Sequence, residues 1–222
     1  MYQNIFLDIK KMKMHLWDDT RGHLEIPFRK YAYVKHPSGQ HVSLYGDRLK
    51  KVTQFDKDDP TLHESDVPPM TRFLVDQYTD SDESSVGHRI MFFDIEVEVT
   101  EGFPDVQKAQ NPITSIALYD STTEKYYTYV FDPNKRLKTY TKDDQVVEIY
   151  ETEYEMLNKF FQKYLEIRPT IISGWNSEFF DIPYLYNRAV RILGPEVANL
   201  LSPISQVIYS EYKKKHTIAG VS

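Results

Sequence analysis

The sequence predicts an α/β fold, α+β overall, in which a small β-rich unit precedes a mixed sheet. Three observations carry this. Residues 90–99, IMFFDIEVEV, alternate apolar odd positions (Met91, Phe93, Ile95, Val97, Val99) with acidic even positions from Asp94 on, and period two belongs to a strand. Residues 151–168 carry Tyr154, Leu157, Phe160, Phe161, Tyr164 and Leu165 at spacings of three and four, the period of a helix with one apolar face. The third observation is the order of elements after residue 88, strand, strand, strand, helix, strand, helix.

Residues 1–51 hold short alternating runs, FRKYAYVKH and HVSLYG, separated by Pro-Ser-Gly and Gly-Asp turns, and read as β-rich. A polar, Pro-containing stretch follows, then the short apolar segment MTRFLVDQY. The segment TDSDESSVG has linker chemistry, and a boundary is expected within residues 79–88. Domains of 1–87 and 88–222 result. Beyond the boundary, 88–99 reads as a strand, and 113–121 with 125–132 as a hairpin around Thr-Thr-Glu. The polar segment 133–150 reads as irregular. Helix 151–168 stops at Arg168-Pro169. Strand 170–175, TIISGW, is short and expected to be buried. Helix 181–194 has Asp181 near its start, Pro183 in its first turn and Gly194 at its end. A right-handed crossover from three antiparallel strands onto a parallel one sets strand 170–175 beside strand 90–99. A ribonuclease-H-like mixed sheet begins this way.

Composition narrows the chemistry. The chain has 222 residues, 41% of them hydrophobic and 14% aromatic, enough apolar material for a real core. It has no cysteine, which excludes disulfides, thiolate metal sites and cysteine nucleophiles. No signal peptide or membrane-length apolar run is present, so a soluble, cytoplasmic protein is expected. The net charge of −6 is uneven. Residues 1–51 carry 10 Lys and Arg against 5 Asp and Glu, and residues 52–105 carry 3 against 14. An acidic middle receives a polyanion poorly unless cations mediate the contact.

The strand at 90–99 lines one face with Asp94, Glu96 and Glu98, and no Lys or Arg lies in the run. With strand 170–175 alongside, the following loop, GWNSEFFDIPY, brings Asp181 close to Asp94 and Glu96. Carboxylates gathered at one spot repel, and a hard divalent cation resolves the conflict. Two Mg²⁺ or Mn²⁺ ions about 4 Å apart can hold an attacking water and a leaving oxygen in line for phosphodiester cleavage. An acidic stripe is also what an ordinary solvated strand face shows. Asp181 alone reads equally as a helix-capping residue, Asn176 as a turn former and Trp175 as a core residue.

The two blocks together are more specific. FFDIEVEVTEGFPD resembles the first proofreading motif of family B DNA polymerases, and GWNSEFFDIPYLYNRAVRILG resembles the second. The wording is most similar to the polymerases of T-even-type bacteriophages. The resemblance covers about residues 88–222 and is vaguer over 1–87, where the family carries an N-terminal domain. It implies a 3′–5′ exonuclease acting on single-stranded DNA ends, with Asp94, Glu96 and Asp181 as ligands of two divalent ions, Mg²⁺ or Mn²⁺. Asn176 would contact the terminal nucleotide, and Phe103 would lie against an unpaired base or pack its own loop. For a phage protein the site of action would be the host cytoplasm. The family's fourth carboxylate, in a Tyr-x-x-x-Asp motif, has no counterpart in position here, and the polymerising domains are missing.

Three expectations follow. The chain is the amino-terminal part of a phage-type family B polymerase, weak or inactive alone and completed by a C-terminal polymerase polypeptide. Alternatively it is a nucleic-acid-binding or assembly module without catalysis, docking through residues 195–222 and Lys213-Lys214-Lys215. A third reading is an independent exonuclease completed by Glu178 or Glu211.

Overall fold

A computed structural model describes residues 1–100 and 102–208. Glu211 and the Lys213–Lys215 run lie outside the described residues, as does part of the expected docking segment. The chain forms two compact units, Met1–His88 and a second beginning at Arg89.

In the first unit β1 (Tyr2–Asp8), β2 (Lys13–Asp18) and β3 (Gly22–Pro27) form an antiparallel three-stranded sheet. Its apolar face, with Met14 and Leu16 fully buried, meets Phe28 and Phe73. Four short strands, β4 (Ala32–Lys35), β5 (His41–Val42), β6 (Arg48–Val52) and β7 (Leu62–His63), make a second sheet. The apolar segment MTRFLVDQY lies in helix α1 (Pro69–Tyr78), with proline in its first turn where no N–H is needed. Asp18 ties α1 to the β2–β3 turn. It accepts the Tyr78 hydroxyl at 2.6 Å, the Arg21 guanidinium at 3.1 Å, and the N–H groups of Thr20 and Arg21.

The second unit is built on β8 (Ile90–Val97), β9 (Ile113–Asp120), β10 (Lys125–Phe131), β11 (Tyr140–Lys142), β12 (Gln145–Tyr150), α2 (Glu153–Ile167), β13 (Ile171–Ser173), α3 (Asp181–Ile192) and the short α4 (Pro195–Ala198). The sheet order is β11-β12-β10-β9-β8-β13. Strands β8, β9 and β10 are antiparallel neighbours, and β13 runs parallel to β8. This is the expected mixed sheet, with the crossover through α2.

Burial follows the pleat. Met91, Phe93 and Ile95 of β8, Ile116 and Leu118 of β9, and Tyr127 and Tyr129 of β10 are buried with Leu157 and Phe160 of α2 and Tyr184 and Leu185 of α3. Phe93 and Phe160 bring their rings to 5.7 Å. Helix α2 is N-capped by Thr152, whose Oγ1 accepts the Glu155 N–H and donates to Glu155 Oε2. It ends with Arg168 in the left-handed region at φ 47°.

Several expectations are corrected. Residues 133–150 are not irregular, because β11 and β12 lie there. The apolar core of QVVEIY pairs in parallel with β10, and its polar flanks mask that period. Strand β13 is not buried. It is the sheet's edge, and Ile171 remains exposed. Tyr154 and Leu165 are exposed, whereas Met156 and Ile167 are buried. The apolar stripe of α2 is rotated toward Glu153, which is itself buried.

Candidate active site

Asp94 and Glu96 project from the same face of β8, alternating with the buried Phe93 and Ile95, and both are exposed. The β8–β9 register slips between Glu96 and Val97, and Thr114 Oγ1 donates to the Glu96 carbonyl at 3.1 Å. Such a bulge adds local twist to the strand end that carries the carboxylates.

Asp181 reaches the same strand from its other edge. Pairing of β13 with β8 ends at Ser173–Phe92, so the next main-chain groups on that edge of β8 have no strand to bond. Gly174 packs against the first of them. A Cβ there would stand 2.2 Å from the Phe93 carbonyl oxygen, a separation only glycine avoids. Two residues on, the Ile95 N–H faces the same edge and donates to Asp181 Oδ1 at 3.1 Å. A side chain 86 positions away thus completes the ladder between Asp94 and Glu96.

The loop joining Gly174 to Asp181 turns at Asn176, whose φ is 57°. The Asn176 carbonyl accepts the N–H groups of Phe179 and Phe180, and its side chain is exposed. Trp175 is 92% exposed, so it is not the core residue that one sequence reading expected. Asp181 opens α3, where the helix N-terminus favours negative charge, yet it is only 3% exposed. Burial first, and the charges of Asp94 and Glu96 next, push its carboxyl above the ordinary value, against the lowering effect of the Ile95 N–H.

Helix α3 also fixes the loop that carries Phe103. Tyr184, Asn187, Arg188 and Arg191 form one helical stripe. They donate respectively to the carbonyls of Asn111, Val106, Ala109 with Gln110, and Lys108. Arg188 is simultaneously paired in a fork with Glu153 at 2.8 and 2.6 Å, and Glu153 accepts the Ile113 N–H. Phe103 is 80% exposed and its ring lies 5.1 Å from that of Phe180. One helix therefore positions both Asp181 and the Phe103 loop.

A family model for the exonuclease domain of family B DNA polymerases matches residues 74–219. The chain belongs to that family. Within the family B exonuclease match lie Asp94, Glu96, Phe103, Asn176 and Asp181. The chain is similar to the DNA-directed DNA polymerase of Escherichia phage RB69, 32% identical over an alignment of 136 residues that covers 52% of this chain and 15% of the relative. Against the DNA-directed DNA polymerase of Enterobacteria phage T4 it is 33% identical over an alignment of 157 residues, which covers 57% of this chain and 17% of that one. DNA polymerase 1 of Sulfurisphaera ohwakuensis is 34% identical over 133 residues, 58% of this chain and 15% of the relative. The chain thus spans under a fifth of the length of these relatives.

Asp94, Glu96 and Asp181 offer only carboxylate oxygens, the ligand chemistry that suits a hard divalent cation. Among the described residues, no three His, Cys, Asp or Glu side chains converge closely enough to hold a metal ion as they stand. Glu178 is exposed on the turn that carries Asn176. Sequence reasoning missed the Glu153–Arg188 pair and the α3 stripe. The stripe's spacing of polar residues at 184, 187, 188 and 191 was a usable signal, whereas nothing local links Glu153 to Arg188.

Proposed function

We propose that this chain is the proofreading part of a phage-type DNA polymerase, contributing to 3′–5′ hydrolysis of single-stranded DNA ends during replication. The observation that carries the reading is the Asp181 carboxylate bonded to the Ile95 N–H, between Asp94 and Glu96 on the strand. In this reading residues 1–87 are the N-terminal domain and residues 88–222 the exonuclease domain, acting in the host cytoplasm.

Asp94, Glu96 and Asp181 would hold the divalent ions, Mg²⁺ or Mn²⁺, that supply charge stabilisation for phosphodiester hydrolysis. The chain's own residues do the positioning. Asp181 holds its place through Ile95, and the exposed Asp94 and Glu96 are free to turn toward a cation. Phe103 offers an exposed ring face to an unpaired base, braced by Phe180. Asn176, exposed on its turn, is assigned to the terminal nucleotide.

We read a further polymerase polypeptide as the partner that would complete the site; the DNA polymerase relatives are several times longer than this chain. The alternative, a binding or assembly module, describes the same chain before that partner joins. In the complete polymerase Asp94→Ala is expected to abolish removal of a 3′-terminal label while sparing DNA synthesis. Retained trimming would sink the assignment. A parallel digestion with the chain alone, in Mg²⁺ or Mn²⁺, is expected to give little cleavage above Asp94→Ala.

A further inference from the structure

The β11 edge of the second unit concentrates positive charge in an acidic chain. Residues 133–142, PNKRLKTYTK, carry four Lys and Arg and no Asp or Glu, whereas the whole chain stands at −6. Hydrogen bonds fix the shape of this segment. Asp132, 2% exposed, accepts the N–H groups of Asn134, Arg136 and Leu137 at 3.2, 2.6 and 2.7 Å. Thr139 Oγ1 accepts the Ile149 N–H at 3.0 Å and sets the start of β11 against β12. Lys135 is paired with Glu151 at 2.7 Å and Arg136 with Asp132 at 3.5 Å. Lys138 and Lys142 are exposed and form no ion pair among the described residues. Leu137 is 53% exposed and Tyr140 50%. Because β11 is the last strand of the sheet, alternate main-chain groups along its outer side have no strand to bond.

We propose that the β11 edge docks an extended acidic segment of a partner polypeptide, which joins the sheet as a further strand. Strand addition draws affinity from main-chain hydrogen bonds and selectivity from alternate side chains. Charge decides the occupant. A segment with carboxylates opposite Lys138 and Lys142 meets both cations, and its apolar residues find Leu137 and Tyr140. Lysines on an edge repel a like edge, which argues against a second copy of this chain. Asp143 and Asp144 form the turn between β11 and β12. A nucleic-acid strand carries a charge at every step and would meet those two carboxylates, whereas a polypeptide places its charges singly. Because Asp132 fixes the loop before anything binds, association pays little to order it. The inference goes beyond the proofreading reading and does not rest on it, since Asp94 and Glu96 lie on β8, with three strands between it and β11.

The test uses the full chain and a fluorescein-labelled peptide that alternates glutamate with valine. Fluorescence anisotropy is expected to show saturable binding, and amide exchange in residues 139–142 is expected to slow as the strand adds. Lys138→Glu with Lys142→Glu should weaken binding at least about tenfold, because like charges then face each other. Circular dichroism checks that this surface variant stays folded. A second comparison leaves the protein untouched. The peptide is N-methylated on its glutamates alone or on its valines alone, which keeps every charge and removes the N–H groups of one side. At least one of these two peptides is expected to lose binding. Equal binding of both would mean charge attraction without strand addition and overturns the proposal, as does a parent peptide that fails to bind. Slowed exchange in residues 139–142 on adding oligo-dT would make the occupant nucleic acid. The same slowing on raised chain concentration alone would make it a second copy. Either result overturns the proposal. None of these outcomes touches the trimming test on Asp94→Ala, so the proofreading reading stands or falls separately.

Discussion

Asp181 is held in a conflict that its chemistry makes measurable. Its Oδ1 satisfies the Ile95 N–H, but its burial, with Asp94 and Glu96 nearby, raises its pKa. A carboxyl with a raised folded-state pKa binds its proton more tightly in the native state than in the unfolded one. Its contribution to stability is therefore fully present below the unfolded value of about 4 and is lost as pH rises. Asp181→Asn keeps the acceptor and removes the charge. In metal-free buffer it is expected to melt above the parent at pH 7, with the gap closing toward pH 4. Differential scanning calorimetry checks this, and a variant melting lower at pH 7 would refute it. The residue type and position were legible in the sequence. The bond to Ile95 was not, because it arises where β13 stops.

At the scale of elements, the Arg188–Glu153 fork joins the N-terminus of α2 to the middle of α3 and anchors the Phe103 loop by the carbonyls of Ala109 and Gln110. Both partners are buried, so removing one leaves an uncompensated charge. Arg188→Met is expected to cost about 3–5 kcal/mol in urea unfolding, and Glu153→Leu with Arg188→Leu distinctly less. Amide exchange in residues 103–112 should also rise in Arg188→Met. Helix existence was legible from the 3.6 period, and Leu157, Phe160, Phe161 and Tyr164 are buried as that period requires. The period could not show that Glu153 would be drawn inward by an arginine on another helix, which turns Tyr154 out to solvent.

For the whole molecule, the two units have separate buried clusters, one around Met14, Leu16, Phe28 and Phe73 and one around the six-stranded sheet. Asp18 belongs to the first. Burial alone would raise its carboxyl, but Arg21, the Tyr78 hydroxyl and the turn N–H groups hold it well below the usual carboxylate range. That depressed pKa stabilises the fold above the unfolded value of about 4, and the benefit is lost as pH falls toward the folded value. Asp18→Asn should cost about 2 kcal/mol at neutral pH, the scale of hydrogen bonds to a charged group. Native-state hydrogen exchange should register the loss in the first unit alone, and that of Arg188→Met in the second unit alone. Spread of either effect into the other unit would contradict separate cores. Among the described residues no helix is long and apolar enough to cross a membrane.

By itself the sequence determined the acidic alternation of β8, the start and stop of α2 and α3, and the two motif blocks that the family match contains. These are properties of neighbours along the chain, governed by periods of two and 3.6 residues and by local proline, glycine and capping chemistry. Tertiary structure alone decided that Gly174 must lack a Cβ against Phe93 and that Asp181 completes the ladder of β8. Each of these depends on which strand ends where beside another. Strand order joins residues 80 or more positions apart, a separation that no local period encodes.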